Sequence, residues 1–283
     1  MICKKELDHA AVLSMLPDRD PWSHKGDFGR ILLLCGSRGY TGAAALAAMG
    51  ALRSGAGLVF LGVPESIYAI EAVKLTEPIV FPLPDDHGMY SLSAVETVLN
   101  RLNIMDAVLI GPGMGQSAGT LAVTKAVLES VPGPVVLDAD GINVISAHKD
   151  LLRERTGPVI LTPHDGEFAR LAGWPGADRE AAAVSLARDL GAVVLLKGHE
   201  TVITDGETVY VNHTGNPGMA VGGSGDVLSG IIVSLCGQGL SPLEAAACGA
   251  WLHGAAGDRC AREIGPYGML PTDMLHVLPR LMN

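Results

Sequence analysis

Residues 215–230 read GNPGMAVGGSGDVLSG, six glycines and a single acid, Asp226, running into the apolar segment IIVSLCG. Glycine at this density costs chain entropy, a cost that is offset where bare backbone amides must approach something closely. If a helix starts near Gly225, the amides of Gly223, Ser224, Gly225 and Asp226 converge at the positive end of its dipole, an arrangement that can hold a phosphate. Asp226 then has two readings. A carboxylate in a first helical turn is a stabilising cap, worth roughly 0.5–1 kcal/mol. A cap does not require the glycines around it, whereas a base beside a phosphate, placed to take a proton from an attacking hydroxyl, accounts for both.

Other phosphate and hydrolase signatures fail. The chain has no G-x-x-x-x-G-K-[ST] loop, and Gly111-Pro112-Gly113-Met114-Gly115 is followed by Gln116 where a dinucleotide fingerprint needs glycine. Gly222-Gly223-Ser224-Gly225-Asp226 starts like a nucleophile elbow, but Asp226 stands where G-x-S-x-G requires glycine, which disfavours a serine hydrolase. In Thr162-Pro163-His164-Asp165-Gly166-Glu167 a strand runs into a helix; Thr162 and Asp165 have capping-box spacing, while His164 and Glu167 share one face of the first turn without being needed for capping. Lys197-Gly198-His199-Glu200-Thr201 ends another strand, where a lone lysine is either solvated or a point contact for phosphate. Gly42 and Ala43 open an alanine-rich helix that suits tight packing on a sheet or close approach of a flat ligand. Asp138, Asp140 and Asn143 can orient metal-bound water or simply cap a helix.

The elements that must position these residues alternate. Short apolar runs at 31–35, 58–63, 107–110, 134–138, 158–162 and 192–197, bounded by Gly, Pro or Asp, read as strands buried on both faces. Helical patterns at 42–55, 65–75, 91–102, 117–130, 141–154, 165–173 and 178–190 lie between them, which implies a parallel sheet with ligand-binding loops at the carboxyl ends of its strands. Residues 201–211 read as a hairpin about Asp205-Gly206, and 222–280 as nearly all helix. No repeat or linker interrupts the chain, so one domain over 1–283 is expected, with 1–24 a helical extension.

Composition narrows the partners. A net charge of -10 argues against nucleic acid or an anionic membrane surface, and an anionic small ligand needs local positive potential from helix termini and lysines. The five cysteines form no C-x-x-C pair; four of the five lie in apolar helix or strand patterns, so buried hydrophobes in a reducing cytosol are expected rather than a zinc site. The first residues lack a signal peptide's apolar stretch, and no run approaches a membrane span, so a cytoplasmic protein is expected.

GNPGMAVGGSGDVLSGII resembles the G-x-G-D anion-hole signature of the ribokinase-like kinases, and more closely the N-P-G-M-A-x-x-G-[ST]-G-D-V-L-[ST]-G form of the NAD(P)H-hydrate dehydratases. The other markers of that family occur in order: KGDFGRILLLCGS, YTGAAALAAMGALRSGAGLV, GPGMG, LDADGIN, LTPHDGEFARL and KGHETVITDG. The resemblance spans about residues 25 to 260. It departs at Asp165, where the family often has proline, and at Gly141-Ile142 within the D-A-D-A-L-N pattern.

The resemblance implies a ribokinase-like three-layer α/β/α sandwich with a mostly parallel central sheet. It implies Asp226 as the base within an anion hole of Gly223, Ser224 and Gly225. Gly42, Ala43, Gly113, Gly115 and His164, with Asp226, would contact the hydrated nicotinamide nucleotide. Lys197, Gly198, His199, Glu200 and Thr201, with Gly225, would contact the AMP part of ADP or ATP, and Glu167 would hold Mg²⁺ through water. The implied reaction is phosphorylation of the C6 hydroxyl of the S epimer of hydrated NADH or NADPH, followed by loss of phosphate. ADP is the expected donor, a homotetramer the expected assembly, and epimerisation is left to a separate NAD(P)H-hydrate epimerase. Alternatives are a small-molecule kinase of the hydroxyethylthiazole or pyridoxal type, or a non-catalytic nucleotide sensor; a sensor has no use for Asp226.

Overall fold

The computed structural model describes residues 2–283. Its strands are β1 (Cys3–Lys5), β2 (Arg30–Leu34), β3 (Leu58–Pro64), β4 (Ile79–Leu83), β5 (Asp85–Asp86), β6 (Met89–Tyr90), β7 (Ala107–Ile110), β8 (Val135–Leu137), β9 (Val159–Leu161), β10 (Val193–Leu196), β11 (Thr201–Thr204) and β12 (Thr208–Asn212). The helices are α1 (His9–Met15), α2 (Thr41–Arg53), α3 (Glu65–Lys74), α4 (Ala94–Leu102), α5 (Ala118–Ser130), α6 (Asp140–Ile145), α7 (Asp150–Arg153), α8 (Asp165–Ala172), α9 (Arg179–Leu190), α10 (Ser224–Gly237), α11 (Pro242–Glu263) and α12 (Pro271–Val277).

Each of the six expected strands forms within two residues of its expected limits, because a short apolar run bounded by Gly, Pro or Asp suits a strand covered on both faces. Along β2 the side chains alternate. Ile31 and Leu33 enter a core with α2, α10 and α11, while Leu32 and Leu34 enter a second core with α4, α5, α6, α8 and α9. The result is the expected three-layer sandwich around a ten-stranded sheet of order β1-β12-β11-β10-β9-β8-β7-β2-β3-β4. From β10 to β4 every pairing is parallel; β10, β11 and β12 form an antiparallel meander.

Strand order reverses at β2, which has β3 on one side and β7 on the other. The crevice outside the carboxyl ends of β2 and β7 is therefore the topological switch point, where open sheets of this kind receive ligands.

Some expectations need correction. Residues 1–24 are not simply a helical extension: α1 is preceded by β1, which pairs in parallel with β12. An unpaired strand edge leaves a row of free N–H and C=O groups, and the N-terminal segment satisfies part of it, with Cys3 N–H donating to Glu207 O at 2.8 Å. The pattern over 141–154 splits into α6 and α7, because Ser146-Ala147-His148-Lys149 brings no large apolar side chain to the sheet. Strand β4 and the β5–β6 hairpin were not anticipated; Pro82 breaks the apolar run of β4 and is tolerated because β4 is an edge strand.

The alanine-rich helices spend their small faces inside the fold. A Cβ at Gly50 of α2 would stand 2.6 Å from Val227 O, and one at Gly230 of α10 would stand 2.2 Å from Ala47 O, so the two helices cross with backbones in contact. Gly230→Val forces them apart and should lower unfolding stability by about 3 kcal/mol, read as a fall in denaturant midpoint at unchanged m-value. A midpoint equal to wild type would show that the crossing yields easily.

Candidate active site

Helix α10 begins at Ser224, with Gly223 in the left-handed region (φ 96°) as a cap that offers no side chain. The Ser224 N–H is used by Val221 O and the Val227 N–H by Gly223 O, which leaves the Gly225 and Asp226 amides at the open positive end of a 14-residue helix. The segment ahead of it is pinned from below. Asp258 on α11 accepts hydrogen bonds from Gly215 N–H (2.9 Å) and Asn216 Nδ2 (3.0 Å), and Asn216 Oδ1 caps the 3-10 turn Pro217–Met219 at Gly218 N–H. The GNPGM lead-in is thus a strap docked on α11 that aims the glycine loop.

Asp226, in the first turn of α10, is largely buried. Burial foremost, and then the neighbouring Asp138, raise its carboxyl pKa to about 6 against the opposing pull of Lys197. Lys197 is the local cation: Nζ donates to Asp138 Oδ1 at 2.8 Å, stands 3.7 Å from Glu167 Oε2, and lies 3.6 Å from where a Cβ on Gly225 would be. Burial pulls the Lys197 pKa down, but Asp138 and Glu167 outweigh it and the ammonium is retained. Sequence reasoning set Lys197 near phosphate without finding its partner. Asp138 directly follows β8, and the next residue, Ala139, is held at φ 46°, an uncommon value for a side-chain-bearing residue, so the chain turns sharply between Asp138 and Asp140.

The helix-start residues behave differently from expectation. The N-cap of α8 is His164, whose Nδ1 accepts from Gly166 N–H (2.9 Å) and Glu167 N–H (3.4 Å), while Glu167 Oε2 accepts from His164 N–H (2.9 Å). The capping box is therefore His164–Glu167, not Thr162–Asp165; Thr162 is buried, its N–H and hydroxyl both donating to Leu137 O. With Nδ1 an acceptor, Nε2 carries the proton of the neutral ring, 3.4 Å from Glu167 Oε1 on a side chain that is 57% exposed. Glu167 is buried, with Oε2 engaged by the His164 amide and 3.7 Å from Lys197 Nζ.

At the switch point, the loop after β2 meets the loop after β7. Gly36 N–H donates to Pro112 O at 2.7 Å, and a Cβ on Gly113 would stand 2.8 Å from the Ala43 Cβ, so Ala43 and Gly113 are neighbours. Gly115 lies against Met89 on β6, and its amide is taken by Asp140 Oδ2 at 2.8 Å, which shapes the loop from below. Asn143 links Asp140 to Arg170. Gly42 and Gly222 meet nothing within 4 Å of a built Cβ, and Gly225 meets only the Lys197 and Asp138 side chains at 3.6 and 4.0 Å. Packing does not demand glycine at these three positions.

The structure thus brings Asp226, Gly225, Lys197, Glu167 and His164 into one centre, with Ala43 and Gly113 paired at the adjoining switch point. Within the turn 197–201, Thr201 Oγ1 donates to Gly198 O at 2.9 Å, while His199 points to solvent and Glu200 pairs with His213. One further residue had no sequence signal. His253 on α11 is buried, with Nε2 3.3 Å from Ser224 Oγ; burial, aided by nearby Lys197 and opposed by a hydrogen bond with Ser224, pushes its pKa down to about 4. It is a neutral partner beneath the anion loop.

A glycine-built anion loop opening a helix, with an acid in its first turn, on an α/β/α sandwich is the architecture of the ribokinase-like proteins. Within that class the chain belongs to the NAD(P)H-hydrate dehydratase family, whose sequence profile matches residues 31–280. It is 48% identical over 277 residues to the bifunctional NAD(P)H-hydrate repair enzyme of Moorella thermoacetica, covering 95% of this chain and 52% of that one. It is 39% identical to the ADP-dependent (S)-NAD(P)H-hydrate dehydratase of Neisseria meningitidis, covering 86% and 81%. The crystal structure of the Bacillus subtilis ADP/ATP-dependent NAD(P)H-hydrate dehydratase, co-crystallised with ATP/Mg²⁺, superposes with a TM-score of 0.83 at 33% identity, covering 97% and 96%. The chain spans about half the length of the bifunctional relatives.

The pKa of Asp226 also sets a stability signature. A carboxyl whose folded pKa lies above its unfolded value favours the fold while protonated and disfavours it as pH rises through the folded value, here about 6. Asp226→Asn removes that charge and should stabilise the unliganded protein by about 1–2 kcal/mol at pH 8, a gain that vanishes below about pH 4. Equal urea midpoints for the two proteins at pH 8 would contradict the strained carboxylate.

Proposed function

We propose that this domain dehydrates the S epimer of hydrated NADH and NADPH at the expense of ADP or ATP, by way of phosphorylation at the C6 hydroxyl. The observation that carries the reading is Asp226: a largely buried carboxylate with its pKa raised to about 6, in the first turn of a helix whose amide-rich end lies beside Lys197. A base poised just below neutral pH is ionised when it meets a hydroxyl and still basic enough to take its proton.

In the proposed reaction Asp226 accepts the C6 hydroxyl proton as that oxygen attacks the terminal phosphorus of the nucleotide. The bond from phosphorus to the leaving nucleotide breaks, giving AMP when the donor is ADP. The Gly225 and Asp226 amides and Lys197 stabilise the charge spread over the transferring phosphoryl oxygens. The C6–O bond of the phosphate ester then breaks, inorganic phosphate leaves, and loss of the C5 proton restores the dihydronicotinamide. Hydroxide is a poor leaving group at neutral pH; phosphate is a good one. His164 Nε2–H, with Gly42, Ala43, Gly113 and Gly115, is the proposed surround of the nicotinamide nucleotide, and Lys197 to Thr201 that of the AMP moiety.

Asp138, Glu167 and Asp226 face one ammonium, and no cluster of three metal-ligating side chains occurs among the described residues. This donor set fits a hydrated Mg²⁺ carried mainly by the nucleotide phosphates and touched through water by Glu167, where it would neutralise phosphoryl charge. ADP is the proposed physiological donor, following the name of the Neisseria meningitidis relative. The remaining proposals are a homotetrameric assembly, a cytoplasmic setting, and a separate epimerase to interconvert the substrate epimers. Among the described residues no helix is long and apolar enough to cross a membrane.

The test is incubation of hydrated NADH with ADP or ATP and Mg²⁺. The expected result is recovery of the reduced-nicotinamide absorbance with one phosphate released per turnover, and kcat/KM rising with pH through a limb near 6. Asp226→Asn should retain nucleotide binding and lose about 10³–10⁴-fold in kcat. A stable phosphorylated product without recovered absorbance would favour a small-molecule kinase instead.

A further inference from the structure

The turn Lys197–Thr201 hangs from an arginine outside the sequence motifs. Arg179, the first residue of α9, donates through Nη2 to Lys197 O at 2.8 Å and reaches Leu196 O at 3.5 Å. Through Nη1 it pairs with Asp165 Oδ1 in the first turn of α8. The guanidinium also lies against Gly198, where a Cβ would stand 2.7 Å from Nη2. Asp165 follows His164, and the other half of that cap, Glu167, stands 3.7 Å from Lys197 Nζ. One planar fork therefore closes a ring from α8 through α9 to the turn and back through the lysine.

Two features separate this ring from ordinary surface pairing. The Arg179 Nε–H is buried without a partner among the described residues, which works against stability, so the arrangement is not what fold stability alone would favour at this corner. The contacts also converge on the carbonyl of the residue whose ammonium sits beside Gly225. Moving that carbonyl moves the ammonium. The departure from the family's common proline at Asp165 thereby gains a partner.

We propose that Arg179, anchored by Asp165, is a positioning residue for the nucleotide: it fixes the Lys197–Thr201 turn against the start of α8 so that Lys197 Nζ is presented at the anion loop. The inference rests on the nucleotide role proposed above for that turn. A lysine at 179 keeps the charge but cannot engage a carboxylate and a carbonyl along the two fixed directions of a guanidinium, so it is not an equivalent anchor.

The test compares wild type, Arg179→Lys, Arg179→Met and the milder Asp165→Asn by calorimetric titration with ADP and with ATP in the presence of Mg²⁺, by steady-state kinetics, and by melting temperature without ligand. The expected result is a roughly tenfold weaker nucleotide Kd and higher nucleotide KM in both Arg179 variants, a smaller effect of the same sign in Asp165→Asn, and an unchanged KM for the hydrated dinucleotide. Wild-type nucleotide affinity in a folded Arg179→Met would overturn the proposal. So would equal losses for both substrates tracking the loss of melting temperature across the three variants, since that is a merely structural role. If wild type itself binds neither ADP nor ATP, the nucleotide reading of the site fails, an outcome distinct from variants that bind as wild type does.

Discussion

The contact on which this architecture depends is the backbone-to-backbone crossing of α2 and α10, made possible by Gly50 and Gly230. Both helices present their N-termini at the same end of the sheet: α2 opens with Thr41 and Gly42, α10 with Ser224 and Gly225. A side chain between them would hold the axes apart by the width of that side chain. Without one, the anion loop and the small-residue loop are set by peptide groups that have no rotamers, so the spacing of the two half-sites is as stiff as the helices themselves. The sheet supplies the other coordinate, because its order reverses at β2 and the loops after β2 and β7 diverge around a common crevice.

Electrostatics at that crevice run against the protein's overall sign. A chain of net charge -10 gathers Asp138, Glu167 and Asp226 around a single lysine, which would repel a polyanion were it not for the amide dipoles and that ammonium. The excess negative charge is tolerated because it is distributed over different jobs. Asp138 holds the lysine, Glu167 caps α8, and Asp226 is left with a raised pKa. His253 adds no charge near neutrality, so the anion loop rests on a partner whose state is constant where Asp226 titrates.

What the amino-acid order made legible follows from what kind of signal each feature emits. Buried strands announce themselves as apolar runs, and β2, β7, β8, β9 and β10 were readable for that reason. The glycine loop was readable because its composition is anomalous for a helix start. Strand β1 was not, since Cys3-Lys4-Lys5 has no pattern of its own and becomes a strand only because β12 offers an open edge. The His164 cap was misassigned because histidine is a rare N-cap, and nothing local distinguishes Nδ1 from the hydroxyl of Thr162. Asp138 with Lys197, and His253 with Ser224, are separated by long stretches of chain; such pairs exist only once the sheet and α11 are in place.

Gly42, Gly222 and Gly225 carry a lesson about redesign. Each could accept a methyl group without a close clash, and none needs the left-handed backbone that glycine alone adopts cheaply. A stability-guided redesign fills such positions first, since alanine restricts the unfolded chain and favours helix starts. In this molecule that same rule selects residues beside the proposed chemistry, so a thermostabilised variant chosen by fold criteria would be optimised toward inactivity. The fold's own indifference to these glycines marks where something other than the fold set the choice of residue.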